Sequence, residues 1–500
     1  MRGDAFPFWQ RGSAAATALV CAIGLSSGFT LPARALPSFA RQTGQPCGTC
    51  HTDFPALTPY GRRFKLLGYT TGGGQFRTTP FPLFPATSGP QSPDESVRAY
   101  VKALEGGATG NEDKDYVPPV SMMAIAGFTH TQAPLPAPTA PFAQNDNTVL
   151  SPFSGFWGGA ITDHIGAFAQ VTYNAPPPGG FTDSFGHTWT WDNTDIRYAN
   201  TAHVGPVDLI YGITANNNPT VQDVWNTTPA WAFPYAASTV ASTPATKTVI
   251  EGAFAAHVGG VGTYAYINDM LYLEVTGYRT LDFRSQNALG TDPFGAPGMI
   301  DGVAPYWRAA LEPQWGPHSL MVGTFGMYAA VNPFVPGLTN TLPQSDKYTD
   351  VGFDAQYQYQ GPNYWLTLRG SYIHENQRLD ATFGALGNAA NPSNFLDSLH
   401  LQASFAWGAD NRFVVTGQYF SVTGSSDPIA YSGLVSGFSA NSNGFIAELA
   451  YIPFGASQAP GWPWLNARIG LQYTYYNKFD GTTVGARDNN TLFLHAWFAM

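Results

Sequence analysis

Three residues within five positions have the types and spacing of a covalent haem site. Residues 47–51 read Cys-Gly-Thr-Cys-His, which is the attachment sequence of a c-type haem. Two thiols at this spacing add to the vinyl groups of a porphyrin, and the adjacent histidine ligates the iron. A surface disulfide or half of a zinc site would use the same cysteines, but zinc needs further Cys or His ligands, and the next histidine is His130. We therefore predict one haem c, bound by Cys47 and Cys50 with His51 as an axial ligand.

Residues 1–35 have the pattern of a secretory signal peptide. Arg2 and Arg11 form its positive region, residues 14–25 its apolar region, and residues 33–35 an Ala-Arg-Ala cleavage site. Cleavage there would remove Cys21 and leave only the two motif cysteines. Haem is attached to such motifs outside the cytoplasm, so the predicted export agrees with the motif.

The composition indicates a membrane barrel rather than a soluble enzyme. Only 11% of the residues are charged and 14% are aromatic, with 54 Gly and 40 Pro. No apolar stretch after the signal peptide is long enough for a transmembrane helix. The net charge of −10 argues against a nucleic-acid partner. Export, many aromatic residues and few charges are typical of an outer-membrane β-barrel, which contacts lipid.

From residue 117 to residue 500 the hydrophobic period is two, as in strands with one face in lipid and one in a lumen. Apolar residues at 465, 467, 469 and 471, for example, alternate with polar or small ones. We predict about sixteen antiparallel strands, with the sixth beginning near Thr248, joined alternately by short turns and long loops. A soluble β-sandwich would also alternate, but would not have so many long strands. The predicted fold is mainly β: a porin-like barrel preceded by a small α-helical haem segment.

The predicted domains are a haem segment at 36–80, a linker or plug at 81–116 and the barrel at 117–500. Within the haem segment, Thr58-Pro59 predicts a helix start and Gly68 its end. That helix carries three cations, which would either pair with haem propionates or form a solvated face; they are Arg62, Arg63 and Lys65. In the linker a second short helix is predicted to open at Ser92.

Residues 35–69 closely resemble the fused monohaem cytochrome–porins of the bacterial outer membrane, which include the outer-membrane iron oxidases. The resemblance is carried by Ala-Leu-Pro-Ser-Phe-Ala-Arg-Gln-Thr-Gly before the motif and by residues 51–69 after it. It implies a small cytochrome in or at the periplasmic mouth of a porin-like barrel, with Fe(II) as the electron donor. The third long connection, at 216–247, is similar in position to the constriction loop of general porins; an extracellular cap is the alternative.

The haem segment has no methionine or second histidine to serve as distal ligand. By alternation Met123, His400 and His495 face the lumen, and Met123, the nearest of them to the motif in sequence, is our candidate distal ligand. Three histidines are predicted at the short-turn end and two methionines toward lipid: His164, His203, His318, Met321 and Met327. Lys65 or a vacant sixth position, which would suit a haem-based sensor, are further alternatives.

Two functions fit these predictions. The first is an electron conduit: an extracellular donor, by resemblance Fe(II), reaches the haem through the pore, and the electron passes to a periplasmic cytochrome. An oxidoreductase activity between Fe(II) and cytochrome c is then the possible enzymatic description. The second is a porin whose haem-bearing segment is a plug or redox gate. We find no triad or hydrolase motif that would suggest other catalysis.

Overall fold

The computed structural model describes residues 37–43, 45–70, 119–135, 142–173, 187–294, 297–334, 342–456 and 463–500. The predicted signal peptide with Cys21, and the predicted linker with its helix near Ser92, lie outside these residues. Within them, no helix has the length and apolar character needed to cross a bilayer.

Sixteen long antiparallel strands form one closed barrel, as predicted. In chain order they are β3 (Val120–Thr131), β4 (Asn147–Ala160), β5 (Ile165–Tyr173), β6 (Trp189–Val204), β7 (Val207–Asn216), β8 (Val258–Ile267), β9 (Leu271–Thr280), β11 (Ala304–Leu311), β13 (His318–Pro333), β14 (Asp346–Gln360), β15 (Tyr364–Arg378), β16 (Ser393–Trp407), β17 (Phe413–Gly424), β18 (Ser442–Tyr451), β19 (Asn466–Lys478) and β20 (Thr491–Ala499). Each pairs with its neighbours, and β20 pairs with β3 from Thr491↔Thr131 to Ala499↔Met123. This last pairing leaves the barrel without a free edge.

Short elements complete the barrel. The strands β10 (Gly298–Ile300) and β12 (Gln314–Trp315) pair with β13. A helix, α4 (Phe283–Ala288), lies in the connection after β9, where Asp282 caps it by accepting from the backbone N–H groups of residues 284 and 285. Single 3₁₀ turns occupy Pro229–Trp231, Ala409–Asn411 and Ala486–Asn489.

The alternation of side chains follows the predicted pattern. On β19, Arg468 and Gln472 are buried toward the lumen, whereas Leu471 is 46% exposed on the outside. At the short-turn ends of β14 to β18 the outward rings form a continuous row with successive centroids 5.0–5.9 Å apart: Tyr359, Tyr364, Phe405, Trp407, Phe413 and Tyr451. Such a girdle marks a membrane–water interface in outer-membrane barrels. The barrel is therefore of the outer-membrane, porin-like type and contacts lipid.

Two predictions about the barrel are wrong. The sixth strand begins at Val258 rather than near Thr248, because residues 217–257 form a long connection that folds into the lumen. Met321 and Met327 face the lumen, where they are 0% and 2% exposed, rather than lipid. Their environment is apolar because the chain itself fills this part of the lumen, so an inward methionine has packing partners there.

The N-terminal segment, described at residues 37–43 and 45–70, contains three short helices and a small hairpin. Its elements are α1 (Pro37–Thr43), α2 (Cys47–Cys50), β1 (His51–Asp53), β2 (Ala56–Leu57) and α3 (Pro59–Leu66). The α3 helix starts and stops as predicted: Thr58 accepts a hydrogen bond from the Gly61 N–H, and Gly68 has φ +70°. Only a residue that tolerates the left-handed region ends a helix in this way without strain.

Candidate functional site

The two motif cysteines are the first and last residues of α2, which packs against the start of α3. The Thr58 N–H donates to the Cys50 carbonyl at 2.9 Å, and the Thr58 hydroxyl donates to the Thr49 carbonyl at 2.5 Å. The two helices approach so closely that a Cβ on Gly61 would lie 2.3 Å from the Cys50 carbonyl oxygen. Glycine at position 61 is therefore needed for this packing, and the packing fixes Cys50 relative to α3.

The N-terminal segment lies inside the barrel, near the short-turn end. Arg62 forms an ion pair with Glu312 and donates to the Gln358 side chain at 2.7 Å. On the opposite side of the segment Asp53 pairs with Arg468 of β19. Since these four charged side chains are at most 3% exposed, removing one partner would leave a buried charge unpaired. Such a loss typically costs about 3–5 kcal/mol.

A cavity of about 490 Å³ is enclosed by parts of the segment, the barrel wall and the third long connection. Its lining contains the three motif residues Cys47, Cys50 and His51, and also Met123 of β3. Aromatic side chains from the segment, the barrel wall and the third long connection also line it: Phe39, Phe54, Phe64, Tyr69, Phe156, Phe168, Trp231, Tyr235 and Trp497. The cavity can accept a large apolar ligand, and its wall offers that ligand two thiols and one imidazole.

Both thiols are free. Burial raises the pKa of Cys50 to about 12 and also raises that of Cys47, so both are neutral at pH 7. No group of three or more His, Cys, Asp or Glu side chains in the described residues is arranged to hold a metal ion.

His51 is oriented by its own turn. Its Nδ1 lies 3.1 Å from the carbonyl oxygen of Pro55, and this hydrogen bond places the proton on Nδ1 and leaves Nε2 as the basic nitrogen. Burial lowers the pKa of His51 to about 4. The ring also packs edge-on against Phe54, with centroids 5.0 Å apart. His51 is therefore neutral at physiological pH and its ring is fixed, as a metal-ligating imidazole requires.

Of the three predicted distal-ligand candidates, only Met123 lines the cavity. His400 faces the lumen elsewhere: Gln418 approaches its Nδ1 at 2.7 Å, while its Nε2 lies 3.3 Å from Glu251. His495 is buried, with Nε2 3.4 Å from Glu448.

The three histidines predicted at the short-turn end do lie there. They contact the Ala199 carbonyl, Asp208 and Tyr357 respectively, and none lines the cavity: His164, His203 and His318.

The cations of α3 have different partners. Arg62 is bound to Glu312 as described above, and Arg63 pairs with Asp269 in the turn between β8 and β9. Lys65 alone among them lines the cavity. The prediction of a solvated cationic face is wrong for Arg62 and Lys65, which are 2% and 6% exposed.

The third long connection, residues 217–257, folds into the lumen and covers the cavity. Trp225 is fully buried; its indole N–H donates to Glu312 at 2.8 Å, and Arg369 of β15 donates to its carbonyl at 3.2 Å. Farther along, Trp231 and Tyr235 line the cavity itself. The inward arrangement is thus observed rather than an external cap. The loop also occupies the route by which we expected an extracellular donor to reach the cavity.

Sequence reasoning missed several residues of the cavity, above all Trp231, Tyr235 and Trp497. Trp497 lies on the terminal strand, where its inward position follows from alternation with its outward neighbours Ala496 and Phe498. The two loop residues gave only a compositional signal, the richness of this connection in tryptophan and turn residues.

No protein-family model matches the chain, and no curated relative does. Solved structures similar to it include Salmonella typhi OmpF in complex with daunomycin (12% identity, TM-score 0.42) and Pseudomonas putida OprB (11%, 0.42). The outer-membrane channel DcaP of Acinetobacter baumannii is similar as well (11%, 0.40). Each alignment covers 76% of this chain. It covers 97% of the OmpF chain, 93% of the OprB chain and 96% of the DcaP chain.

Proposed function

We propose that this barrel is an outer-membrane electron-transfer protein with one haem c in the lumen cavity. Cys47 and Cys50 would form the thioether bonds, the Nε2 atom of His51 would ligate the iron, and Met123 is the proposed distal ligand. The carrying observation is that these four residues, from two distant parts of the chain, line one cavity. Bound haem supplies a one-electron couple whose potential depends on axial ligands and burial.

The chain's own residues fit that group. The Pro55 carbonyl holds the His51 ring so that Nε2 is free, and the aromatic lining excludes water from a large apolar ligand. Neither a disulfide nor a zinc site accounts for Met123 and the aromatic lining. The third connection keeps the cavity apart from the long-loop end, so a donor outside the barrel would transfer its electron across this loop.

We further propose the direction and the partners. Short turns face the periplasm in outer-membrane barrels, so the haem segment would lie on the periplasmic side and pass electrons to a soluble c-type cytochrome there. Fe(II) as the extracellular substrate rests on the resemblance of residues 35–69 to the cytochrome–porins. Outer-sphere transfer from Fe(II) requires no acid, base or nucleophile.

The test uses purified protein in detergent, oxidised in air and then mixed anaerobically with Fe(II). The ferrocytochrome absorption bands are compared with those of a dithionite-reduced sample. Rapid reduction by Fe(II) is expected. If dithionite reduces the haem but Fe(II) does not, Fe(II) is not the electron donor. A wild-type protein without covalent haem would overturn the proposal. The Cys47→Ser/Cys50→Ser variant is the control, since it should fold without haem.

The second candidate is a porin with a redox gate, favoured by the inward third connection and by the segment that occupies the lumen. Gating requires the segment to move, and its ion pairs with Glu312 and Arg468 are buried. Altered solute uptake by the Cys47→Ser/Cys50→Ser variant in cells would support the gate. Unchanged uptake with loss of iron-dependent respiration would support the conduit.

A further inference from the structure

Lys65 is the one cation of α3 whose side chain lines the cavity. Lys65 donates to the backbone carbonyls of Val221 and Asp223 at 2.7 and 2.9 Å, and Nζ lies 4.9 Å from the centroid of the Trp231 ring. A lysine ammonium has three N–H donors, and these two carbonyls use two of them. Within the described residues no carboxylate oxygen lies within ion-pair distance of Nζ.

The other two cations of α3 are already paired. Arg62 reaches Glu312 and Arg63 reaches Asp269, and neither side chain lines the cavity. Three buried arginines of the barrel wall near the segment, Arg197, Arg308 and Arg468, also have a carboxylate partner. A fourth, Arg369, donates to neutral acceptors and does not line the cavity. Lys65 is thus a buried cation in the cavity lining whose Nζ has no carboxylate of the described residues within ion-pair distance.

The charged groups around Lys65 do not replace that anion. Burial, assisted by the nearby Arg197, lowers the pKa of Lys65 to about 7, although Asp195, Asp223 and Glu274 act in the opposite direction. Asp195 is itself bound to Arg197, and Asp223 lies opposite Arg308. A carboxylate brought against Nζ would favour the charged ammonium, since an adjacent opposite charge offsets the cost of burial.

Lys65 and the two thiols lie against different parts of the cavity wall. The α2 turn packs against Ala456 and Trp365, where the Gly48 N–H donates to the Ala456 carbonyl. Lys65 packs against the third connection instead. In a porphyrin with two vinyl and two propionate groups, the propionates lie across the ring from the vinyl-bearing edge. A ring joined to Cys47 and Cys50 by its vinyl groups would therefore have its carboxylates on the side away from α2.

From this geometry we infer that Lys65 binds a carboxylate of the cavity's ligand, which for the haem proposed above is a propionate. Lys65 is in this sense a positioning residue, which acts on the iron through the group that it holds. The inference rests on the proposed function, but adds a residue that the attachment motif does not contain. Because the ammonium carries a positive charge inside a low-dielectric cavity, it also favours the reduced state of the iron, which has one positive charge fewer.

The experiment is a spectroelectrochemical titration at pH 7 of the haem-bearing wild-type protein and four variants in detergent. Lys65→Met and Lys65→Gln remove the charge, Lys65→Arg keeps it, and Arg63→Met removes a neighbouring cation outside the cavity. The first two variants are expected to lower the reduced-to-oxidised ratio at a fixed potential about tenfold, which is about 59 mV for a one-electron couple. Lys65→Arg and Arg63→Met should titrate close to wild type.

The outcomes separate two kinds of failure. If Lys65→Met and Lys65→Gln contain haem and titrate like wild type, the role of Lys65 is overturned while the proposed function stands. If Arg63→Met changes the potential as much as they do, the effect is a general loss of charge and the inference also fails. A wild-type protein without haem would overturn the proposed function itself. Lys65→Gln retains a donor toward the loop carbonyls, so it still tests the charge if the methionine variant fails to fold.

Discussion

At the scale of single residues, the chemistry of the site depends on which atoms the fold leaves available. The hydrogen bond from Nδ1 of His51 to the Pro55 carbonyl leaves Nε2 as the nitrogen that is available to a ligand. Spacing alone predicted the two thiols and the imidazole. It could not select among inward methionines and histidines, since alternation gives only the face of a strand. Which inward residue meets the cavity depends on strand register, and that register places Met123 opposite Ala499 beside the segment.

Met123 is best tested against another buried methionine of the lumen. Met123→Leu should abolish the sulfur-to-iron charge-transfer band of the oxidised protein and convert the haem to a high-spin spectrum, because leucine has no ligand atom. The volume is nearly unchanged, so the stability cost should stay below about 1.5 kcal/mol. Met321→Leu, which alters a residue outside the cavity lining, should leave the optical spectrum intact. Identical spectra for the two variants would exclude Met123 as the ligand.

At the scale of elements, short local signals were sufficient for α3 but not for the third connection. A capping Thr58, a proline at the first position and a terminal Gly68 all lie in or next to α3 in the sequence, so its bounds could be predicted. The inward course of residues 217–257 is fixed by partners far along the chain, such as Glu312 and Arg369. A composition rich in Asn, Thr and Trp suits an external cap equally well. For the same reason the start of the sixth strand was predicted too early.

The contact between α2 and α3 makes Gly61→Ala a specific test of the site's scaffold. The added Cβ would meet the Cys50 carbonyl oxygen, and overpacking of this kind typically costs about 1–3 kcal/mol. Covalent haem per folded barrel should fall, as measured by haem absorbance relative to protein. Gly155→Ala on β4, where a Cβ would have no atom within 4 Å, serves as the control. An unchanged haem content in Gly61→Ala would show that this contact does not position Cys50.

Asp223 makes the inward position of the third connection testable by conductance. Burial alone would raise the pKa of Asp223, but Arg308 and the N–H groups of Trp225 and Thr228 outweigh it and hold the pKa below the ordinary 3.8. A carboxylate whose pKa is lowered by folding stabilises the loop at pH values above its ordinary pKa. This stabilisation is lost as the pH falls through the pKa that the group has in the folded protein. In planar bilayers the wild type should therefore stay closed from pH 7 to about pH 5 and open only in stronger acid.

The matched variants separate this carboxylate from general effects of charge. Asp223→Asn should conduct already at pH 7, because asparagine cannot replace the charged acceptor opposite Arg308. Asp301→Asn, at an exposed position in the connection before β11, should behave like wild type. A closed Asp223→Asn channel would mean that other contacts hold the loop.

At the scale of the whole molecule, the number of strands and their alternation were predictable because lipid imposes a period of two over the entire barrel. The interior was less predictable. A barrel of sixteen strands is wide enough to hold a water-filled lumen, yet the segment and the third connection fill its central part with apolar clusters such as the one joining Leu66, Trp225 and Met321. Polar or apolar character therefore does not by itself distinguish lumen from lipid in this barrel. That is why the prediction that Met321 and Met327 face lipid was wrong.

The lipid-facing surface can be tested at Leu471, which pairs with the outward Leu449 and Leu494 on its neighbouring strands. Leu471→Arg should destabilise the barrel in vesicles by about 2–4 kcal/mol, because it places a charge in hydrocarbon. Urea titration followed by tryptophan fluorescence measures the change, with Leu471→Phe as the apolar control. Equal stabilities would show that this band does not face lipid.

The cavity wall also has a consequence for biogenesis. Its thiols lie at residues 47 and 50, while Asn466 and Trp497 come from the last two strands, so the cavity is complete only when β20 pairs with β3. Under the proposed function, an enzyme that attaches haem to Cys47 and Cys50 would therefore act while the barrel is still open. We expect haem attachment to precede barrel closure. A chain truncated before β19 should consequently expose both thiols to an alkylating reagent, whereas the folded Cys-containing barrel without haem should protect them.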